Sequence, residues 1–197
     1  MDTNLIKQLR EETGLGVMDC KKALEEAGGS FEKAKGVLKR RGADIVAKKS
    51  TRVAKEGIIA SYVHTGGKTG VLVEINCETD FVARNEIFQN FAKNICLQVV
   101  AAKPLCVKKE EIPEGMLSER KKWWEEEAKD KPPEEREKIL TEKLTEFSQE
   151  HVLLNQTFIK EPEKTIQDYL NETIARIGEN IAIRRFVRFE LGTTPYS

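Results

Sequence analysis

A change of periodicity between residues 71 and 103 restricts the fold of this chain more than any other feature. Four apolar residues first alternate with polar ones, namely Val71, Val73, Ile75 and Cys77. Strict alternation predicts a strand that buries one face. From 86 to 103 the apolar residues recur at helical spacing, which predicts a buried helix that ends before Pro104. A strand followed directly by a long helix predicts an α+β layer, with helices packed on one face of a sheet.

Two further segments predict the other strands of that sheet. Residues 58–63 are joined to the first strand by a glycine-rich turn, which is typical of a hairpin. In residues 181–191 the charged Arg184, Arg188 and Glu190 are expected on one face. Five apolar residues are expected on the other face: Ile181, Ile183, Val187, Phe189 and Leu191. The prediction is a small three-stranded antiparallel sheet whose exposed edges invite pairing with another subunit.

The N-terminal part predicts a separate helical unit. Residues 1–41 contain three short amphipathic stretches separated by glycines, which predicts a three-helix domain with a small core. Residues 42–56 are predicted to be a linker. Between 39 and 55 there are seven basic residues and one acid, Asp44. Such a segment either meets phosphate or an acidic partner, or is only a solvated connection, and the pattern leaves both open.

The second domain is predicted to span residues 57–197 and to include a helical arm at about 113–150. The arm is rich in charge and is divided into two helices by Pro132-Pro133. Trp123 and Trp124 point about 100° apart on a helix, so they cannot both face one core. Either one of them lies at a partner surface, or both pack by their edges.

Composition argues against several classes of function. The chain has 33 basic and 33 acidic residues, whereas general nucleic-acid-binding proteins carry a basic excess. There is no apolar run long enough to span a membrane and no signal peptide, so a cytoplasmic location is expected. The four cysteines lack metal-binding spacing, so buried free thiols and no metal are expected. No motif predicts a catalytic residue or a cofactor, and an enzyme is therefore the weaker interpretation.

The residues between the strand and the long helix, Thr79-Asp80-Phe81-Val82, pose the main question. Asp80 is expected to N-cap the turn that follows. If one helix runs unbroken from Phe81, the seven-residue step to Phe88 puts both rings on the core face. If the helix starts at Asn85 instead, Phe81 lies before it and projects. The pattern alone leaves both alternatives open.

Three long stretches resemble the signatures of the elongation factor Ts family. They are TGLGVMDCKKAL at 13–24, NCETDFVA at 76–83 and IGENIAIRR at 177–185. Members of this family are guanine-nucleotide exchange factors that act on elongation factor Tu in bacterial translation. The resemblance implies a ubiquitin-associated-like three-helix domain, followed by an α+β dimerisation-type domain with a protruding helical arm.

The resemblance also implies which residues bind elongation factor Tu, in its GDP-bound and nucleotide-free states. Phe81 is implied to wedge between helices of the partner's nucleotide domain, while Asp80 helps to perturb its magnesium region. Further contacts are implied at these positions: Thr79, Val82, Val17, Met18, Lys21, Ile177 and Gly178. No covalent chemistry is needed, so the protein is expected not to be an enzyme and to need no cofactor.

This chain has one copy of the hairpin-and-helix module, whereas longer family members carry two. His64, in the hairpin, resembles a histidine of the second copy that approaches elongation factor Tu. A homodimer would supply the missing half. Some short members link their subunits through a cysteine where this chain has Val187, so any dimer here must rest on sheet edges and apolar contact.

An RNA- or ribosome-binding accessory protein that uses the basic linker is the alternative, and steep salt dependence of binding would distinguish it. As an exchange factor, the chain is expected to bind neither nucleic acid directly nor a membrane.

Overall fold

The computed structural model describes residues 2–193. Its α-helices are α1 (Thr3–Thr13), α2 (Val17–Glu26), α3 (Phe31–Lys49), α4 (Asp80–Ala83), α5 (Glu86–Ala102), α6 (Glu114–Glu127), α7 (Pro133–His151) and α8 (Ile166–Ile177). Its strands are β1 (Glu56–Val63), β2 (Thr69–Cys77), β3 (Thr157–Phe158), β4 (Glu161–Thr165) and β5 (Ile181–Glu190). Two short 3₁₀ helices cover Lys109–Glu111 and Leu153–Asn155.

The main sheet has the strand order β1-β2-β5, and the predicted three-stranded antiparallel sheet is confirmed. The central strand buries the four residues whose alternation predicted it: Val71, Val73, Ile75 and Cys77. The helix predicted over 86–103 is also confirmed, since α5 covers Glu86–Ala102. It buries six apolar residues: Phe88, Phe91, Ala92, Ile95, Cys96 and Val99.

A second, two-stranded sheet was not predicted. In it β3 and β4 are antiparallel, with Thr157 opposite Thr165 and Phe158 opposite Glu161. The sequence of β4, EPEKT, is charged and contains a proline, and β3 has only two residues. Neither strand is long or apolar enough to produce an alternating pattern.

The facing predicted for β5 is wrong beyond Ile183. Ile181 and Ile183 are buried, but Arg184 and Arg185 are both exposed, and from there the exposed residues are the odd-numbered ones. Arg185 Nε donates to the carboxylate of Glu74 at 2.7 Å. Arg185 therefore lies on the open face of the sheet, which is the face opposite the buried residues of β2. An extra residue in a strand reverses the alternation that follows it, as a β-bulge does. Val187 and Phe189 therefore lie on the open face of the sheet.

The N-terminal three helices pack around a small core, as predicted. Its buried residues are Leu9, Cys20, Ala23, Leu24, Ala34, Val37 and Leu38. The third helix extends to Lys49, so about half of the predicted 42–56 linker is helical. Residues 42–49, GADIVAKK, continue the helix even though Gly42 costs about 1 kcal/mol relative to alanine at such a position.

The arm is a pair of helices with a core of its own. Pro132 and Pro133 separate α6 from α7, as predicted. Trp124 is 5% exposed, and its ring meets the ring of Phe147 edge-on at 5.9 Å. Trp123 is 60% exposed, so the adjacent tryptophans point to different surroundings.

Contacts between Cα atoms divide the chain into two compact units. One comprises Met1–Ile58, Asn76–Phe91 and Leu170–Ala182, and the other comprises Ile59–Ile75, Ala92–Tyr169 and Ile183–Ser197. The domain boundaries drawn from the sequence, at 1–41, 42–56 and 57–197, stay a prediction. None of the helices between residues 2 and 193 is long and apolar enough to cross a lipid bilayer.

All four cysteines are buried free thiols, as predicted from their spacing. Burial raises the pKa of three of these thiols, those of Cys77, Cys96 and Cys106, to about 11. Burial also raises the pKa of Cys20. Because the thiolate is the reactive form, these side chains serve as small core residues.

Candidate partner-binding surface

The turn after β2 is a single helical turn capped by Thr79. The backbone of Thr79 is extended, and its Oγ1 accepts a hydrogen bond from the N–H of Val82 at 3.4 Å. The expectation that Asp80 is the N-cap is wrong by one residue, because Asp80 already has helical conformation as the first residue of α4. Its carboxylate instead accepts a hydrogen bond from Arg84 Nη2 at 2.9 Å.

Phe81 projects from this turn. Its side chain is 80% exposed, whereas Ala83 on the same turn is buried. Helix α4 ends at Ala83 and α5 begins at Glu86, where the side-chain oxygen of Asn85 accepts the N–H of Ile87 at 2.8 Å. Phe81 and Phe88 therefore lie on different helices, and the alternative in which Phe81 projects is confirmed.

The capping threonine is held from a distant part of the chain. The N–H and Oγ1 of Thr79 donate to the two carboxylate oxygens of Glu179, at 3.0 and 2.8 Å. Glu179 follows Gly178, which ends α8 with a left-handed φ of 80°. Glycine adopts that conformation without the steric cost that a Cβ would bring.

A second carboxylate makes the reciprocal contact. Glu78 accepts the N–H of Asn180 at 2.7 Å, and it accepts Arg52 Nη1 at 3.3 Å. Asn180 Nδ2 in turn donates to the carbonyl oxygen of Arg52 at 2.7 Å. The hydrogen bond from the Asn180 N–H is the main cause that lowers the pKa of Glu78, and Arg52 lowers it further. We call these contacts of Glu78 and Glu179 the carboxylate clasp.

The three-helix domain presents two apolar side chains at the start of α2. Val17 is 47% exposed and Met18 is 60% exposed. Lys21 is on the same helix and is also exposed, with Glu25 at 3.9 Å as its ion-pair partner. Val17, Met18 and Lys21 lie within the first five residues of α2, which make up about one and a half helical turns.

The turn that precedes α2 lies against the end of α8. Gly14 has a φ of 66°, and a Cβ placed on it would be only 2.3 Å from Nε of Arg176. Glycine is therefore required here by both its conformation and its close neighbour. Arg176 is directly followed by Ile177 and Gly178, two of the residues implied to contact the partner.

The structure brings most of the predicted site residues into one compact unit. Thr79 to Val82, the α2 residues, and Ile177 with Gly178 all belong to the unit that contains the three-helix domain. His64 belongs to the other unit, where it is exposed and its Nδ1 lies 3.3 Å from the hydroxyl of Tyr62.

Sequence reasoning missed Glu78, Glu179, Asn180 and Arg52. The first three belong to the quoted signatures, so the motifs contained them without indicating their role. Glu78 and Asn180 are separated by 102 residues, and no local pattern predicts a hydrogen bond across such a distance.

The side chains exposed at this surface are suited to non-covalent contacts with another protein. They include one aromatic ring, a few aliphatic side chains and the ion pairs Asp80–Arg84 and Lys21–Glu25. Within residues 2–193 there is no group of three histidine, cysteine, aspartate or glutamate side chains placed to hold a metal ion. An exposed phenylalanine on an anchored turn is suited to entering an apolar pocket of another protein.

The chain is similar in sequence to proteins of a single family. A family model described as "Elongation factor TS" matches residues 20–193. The chain is 50% identical over 189 residues to "Elongation factor Ts" of Thermoanaerobacter sp. (strain X514), covering 95% of this chain and 93% of the relative. It is 52% identical over 189 residues to the protein of that name from Citrifermentans bemidjiense, covering 95% and 88%. It is 50% identical over 191 residues to the "Elongation factor Ts" of Thermodesulfovibrio yellowstonii, covering 96% of this chain and 96% of the relative.

Proposed function

Because the chain belongs to the elongation factor Ts family, we propose that it is a cytoplasmic guanine-nucleotide exchange factor that releases GDP from elongation factor Tu. The observation that carries this proposal is Phe81, a large apolar side chain that is 80% exposed on an anchored turn. A residue so exposed contributes little to the core of its own chain. Its size and position suit a wedge that enters the nucleotide domain of the partner.

Exchange requires a difference in affinity and no covalent step. A factor shifts the partner towards its nucleotide-free state only if it binds that state better than the GDP-bound state. In this mechanism Phe81 separates helices of the nucleotide domain, and Asp80 acts on the region that holds Mg²⁺. Asp80 forms an ion pair with Arg84 at 2.9 Å, so its carboxylate is already oriented before the partner arrives.

The remaining contacts fix the factor on its partner while Phe81 acts. Val17 and Met18 are exposed apolar side chains, and Lys21 adds a charge beside them. Together with Ile177 and Gly178 they form the rest of the proposed surface, with Thr79 and Val82 supporting Phe81. An aromatic anchor surrounded by weaker contacts is the usual distribution of energy in a protein interface.

The contacts of the basic segment favour this function over RNA binding. Arg41 pairs with Glu26 at 2.8 Å, and Arg52 pairs with Glu78 at 3.3 Å. The segment up to Lys49 is helical. Arg40 and Lys49 are nine positions apart and therefore lie about 180° apart around the helix. Basic side chains distributed in this way do not make one phosphate-binding face.

The open face of the sheet supports a homodimer. Six apolar side chains on or beside its strands are more than 40% exposed: Ile59, Val63, Leu72, Val187, Phe189 and Leu191. On this face Glu74 and Arg185 form an ion pair at 2.7 Å. A twofold axis places the same patch against itself, so both apolar and charged groups would find partners on a second copy.

A second copy would also supply a second hairpin. His64 and Tyr62 lie at the end of β1, next to the turn. In the proposed dimer His64 of one subunit contacts the elongation factor Tu that is bound to the other subunit. This replaces the second module that longer members carry within one chain.

The test is release of fluorescently labelled GDP from elongation factor Tu at increasing concentrations of the factor. We expect the wild-type chain to accelerate release and Phe81→Ala to reduce this acceleration by roughly 30-fold, as for an interface residue worth about 2 kcal/mol. Because the side chain is exposed, the free energy of unfolding should change by about 0.5 kcal/mol or less.

Trp123→Ala is the matched control, since Trp123 is another exposed aromatic side chain, at 60%. It should leave the acceleration unchanged. If the wild-type chain does not accelerate GDP release, the proposed function is wrong. If Phe81→Ala unfolds the chain, Phe81 has a structural role and the wedge mechanism fails.

A further inference from the structure

We propose that Glu179 is a positioning residue, which sets the orientation of Phe81 by holding the capping threonine of its turn. This inference rests on the proposed function for its effect on exchange. Its structural part, the ordering of the turn by Glu179, concerns the free protein alone. The two parts can be tested separately.

The need for such a residue follows from the shortness of α4. It has four residues, Asp80–Ala83, and a single helical turn is not stable by itself because nucleation is unfavourable. Phe81 cannot stabilise the turn by packing, since its side chain is 80% exposed. The turn therefore depends on its cap and on the groups that hold the cap.

A chain of hydrogen bonds leads from Glu179 to the turn. Glu179 accepts Oγ1–H of Thr79 at 2.8 Å, and this leaves the lone pairs of Oγ1 free to accept the N–H of Val82 at 3.4 Å. Hydroxyl groups that donate and accept at the same time polarise both hydrogen bonds. Glu179 thus fixes the rotamer of Thr79 in which it caps the turn.

The backbone of Thr79 is fixed by the same carboxylate, because its N–H donates to the other oxygen at 3.0 Å. Its carbonyl oxygen accepts the N–H of Ala83 at 3.3 Å and the thiol of Cys77 at 3.1 Å. Hydrogen bonds to a charged carboxylate are among the stronger ones in proteins. The residue two positions before Phe81 is therefore held through its backbone and its side chain.

Glu78 adds a further contact between the end of β2 and the segment that follows α8. It accepts the N–H of Asn180, while Glu179 accepts the N–H of Thr79. Each of the two segments, 78–79 and 179–180, therefore accepts one hydrogen bond through a carboxylate and donates one through a backbone N–H. Neither segment can move along the other without breaking both contacts. Because Glu179 directly follows the end of α8, the clasp also fixes Phe81 relative to Ile177 and Gly178.

The functional consequence is preorganisation of the wedge. A binding residue held in its bound orientation loses less conformational entropy on binding than a mobile one. If Glu179 is lost, Phe81 remains present and exposed but samples other orientations. We therefore expect loss of exchange activity through Phe81, without loss of the fold.

A double-mutant cycle on the exchange reaction separates positioning from a direct contact. Glu179→Gln should lower the acceleration of GDP release roughly 10-fold, as for one hydrogen bond to a charged group. In the Phe81→Ala background the same substitution should change it less than about twofold. Glu146→Gln is the matched control, since Glu146 is an exposed glutamate of α7, and it should have no effect.

Hydrogen exchange of the free protein tests the structural part without elongation factor Tu. In Glu179→Gln the amides of Thr79 and Val82 should exchange roughly 10-fold faster than in the wild type. Amides in the buried middle of α5 should be unchanged. Glu78→Gln, which retains one acceptor for the Asn180 N–H, serves as a second variant and should give a smaller change in the same direction.

Three results have different meanings. If the amides of Thr79 and Val82 exchange as in the wild type, Glu179 does not position the turn. If they exchange faster but Glu179→Gln and Phe81→Ala have additive effects on GDP release, Glu179 acts independently of Phe81, and the positioning role is again overturned. If the wild-type chain does not accelerate GDP release from elongation factor Tu, the proposed function fails. Hydrogen exchange of the free protein still decides whether the clasp orders the turn.

Discussion

At the residue scale, Phe81 and Trp123 show that exposure alone does not define a binding residue. Both are aromatic side chains at least 60% exposed. Trp123 lies within a 14-residue helix that is stabilised by other residues. Phe81 lies on a four-residue turn whose cap is held by Glu179 across 100 residues of sequence. The two side chains therefore differ in how firmly their own backbone is held, and the anchored turn is what distinguishes Phe81.

The clasp should make the stability of the chain depend on pH through Glu78. Hydrogen bonds from the Asn180 N–H and Arg52 lower the pKa of Glu78 below its ordinary value of 4.5. The folded state therefore binds this proton less readily than the unfolded state. The contribution of Glu78 is complete above about pH 4.5 and is lost as the pH falls through the folded value.

The measurement is the free energy of unfolding of the wild type and of Glu78→Gln between about pH 6 and pH 3. Glutamine cannot titrate, so the difference between the two proteins isolates Glu78 from the other carboxylates. We expect the wild type to be more stable near pH 6 and the difference to shrink as the pH falls. A difference that stays constant over this range would contradict the prediction.

The residues of this site differ in how far sequence could predict them. The two alternatives for Phe81 were both compatible with periodicity, and a local feature, the cap formed by Asn85, decided between them. Asp80 and Thr79 are both favoured N-cap residues, so composition could not identify which one begins the turn. Glu179 could not be predicted to hold Thr79, because the contact depends on the tertiary fold.

At the scale of elements, strands and helices were predicted where packing agrees with a simple period. β2 and α5 bury one regular face each, and both were predicted closely. β5 was predicted as a strand, but its facing was wrong after the irregularity at Arg184–Arg185. A bulge changes the phase of the alternation without changing the composition of the strand, so composition does not indicate it.

The arm allows an element-scale prediction with two adjacent residues. Trp124 is 5% exposed and packs on Phe147, so Trp124→Ala should lower the free energy of unfolding of the arm by about 3 kcal/mol. Trp123→Ala should change it by about 0.5 kcal/mol or less, because the side chain is exposed. Chemical denaturation of both variants, followed by far-ultraviolet circular dichroism because these two residues are the only tryptophans of the chain, measures the two effects. Equal losses in the two variants would mean that the arm does not have the core described above.

At the scale of the whole molecule, the chain combines a zero net charge with an exposed apolar face on its sheet. Its 33 basic and 33 acidic residues give little electrostatic repulsion between copies. Exposed apolar side chains gathered on one face favour association. Composition gives the net charge but does not locate the apolar face, because Val187 and Phe189 belong to that face only through the observed facing of β5.

This face gives the last prediction, which concerns self-association. Phe189 is 63% exposed on β5, on the same face of the sheet as the ion pair of Glu74 and Arg185. A charge placed there would be buried without a partner in a dimer, so Phe189→Glu should weaken dimerisation by roughly 30-fold or more. Trp123→Glu introduces the same charge at a similarly exposed aromatic position of the arm and should leave dimerisation unchanged.

Sedimentation velocity over a range of micromolar concentrations measures the effect, and GDP release is measured on the same samples. The wild type should sediment as a dimer, and Phe189→Glu should sediment increasingly as a monomer on dilution. If exchange uses His64 from the second subunit, the rate of GDP release should fall as the dimer dissociates, and His64→Ala should lower the rate in the dimer. A wild-type chain that is monomeric at every concentration and fully active would rule out both the dimer and the contribution of the second hairpin, because one copy of the module would then be sufficient.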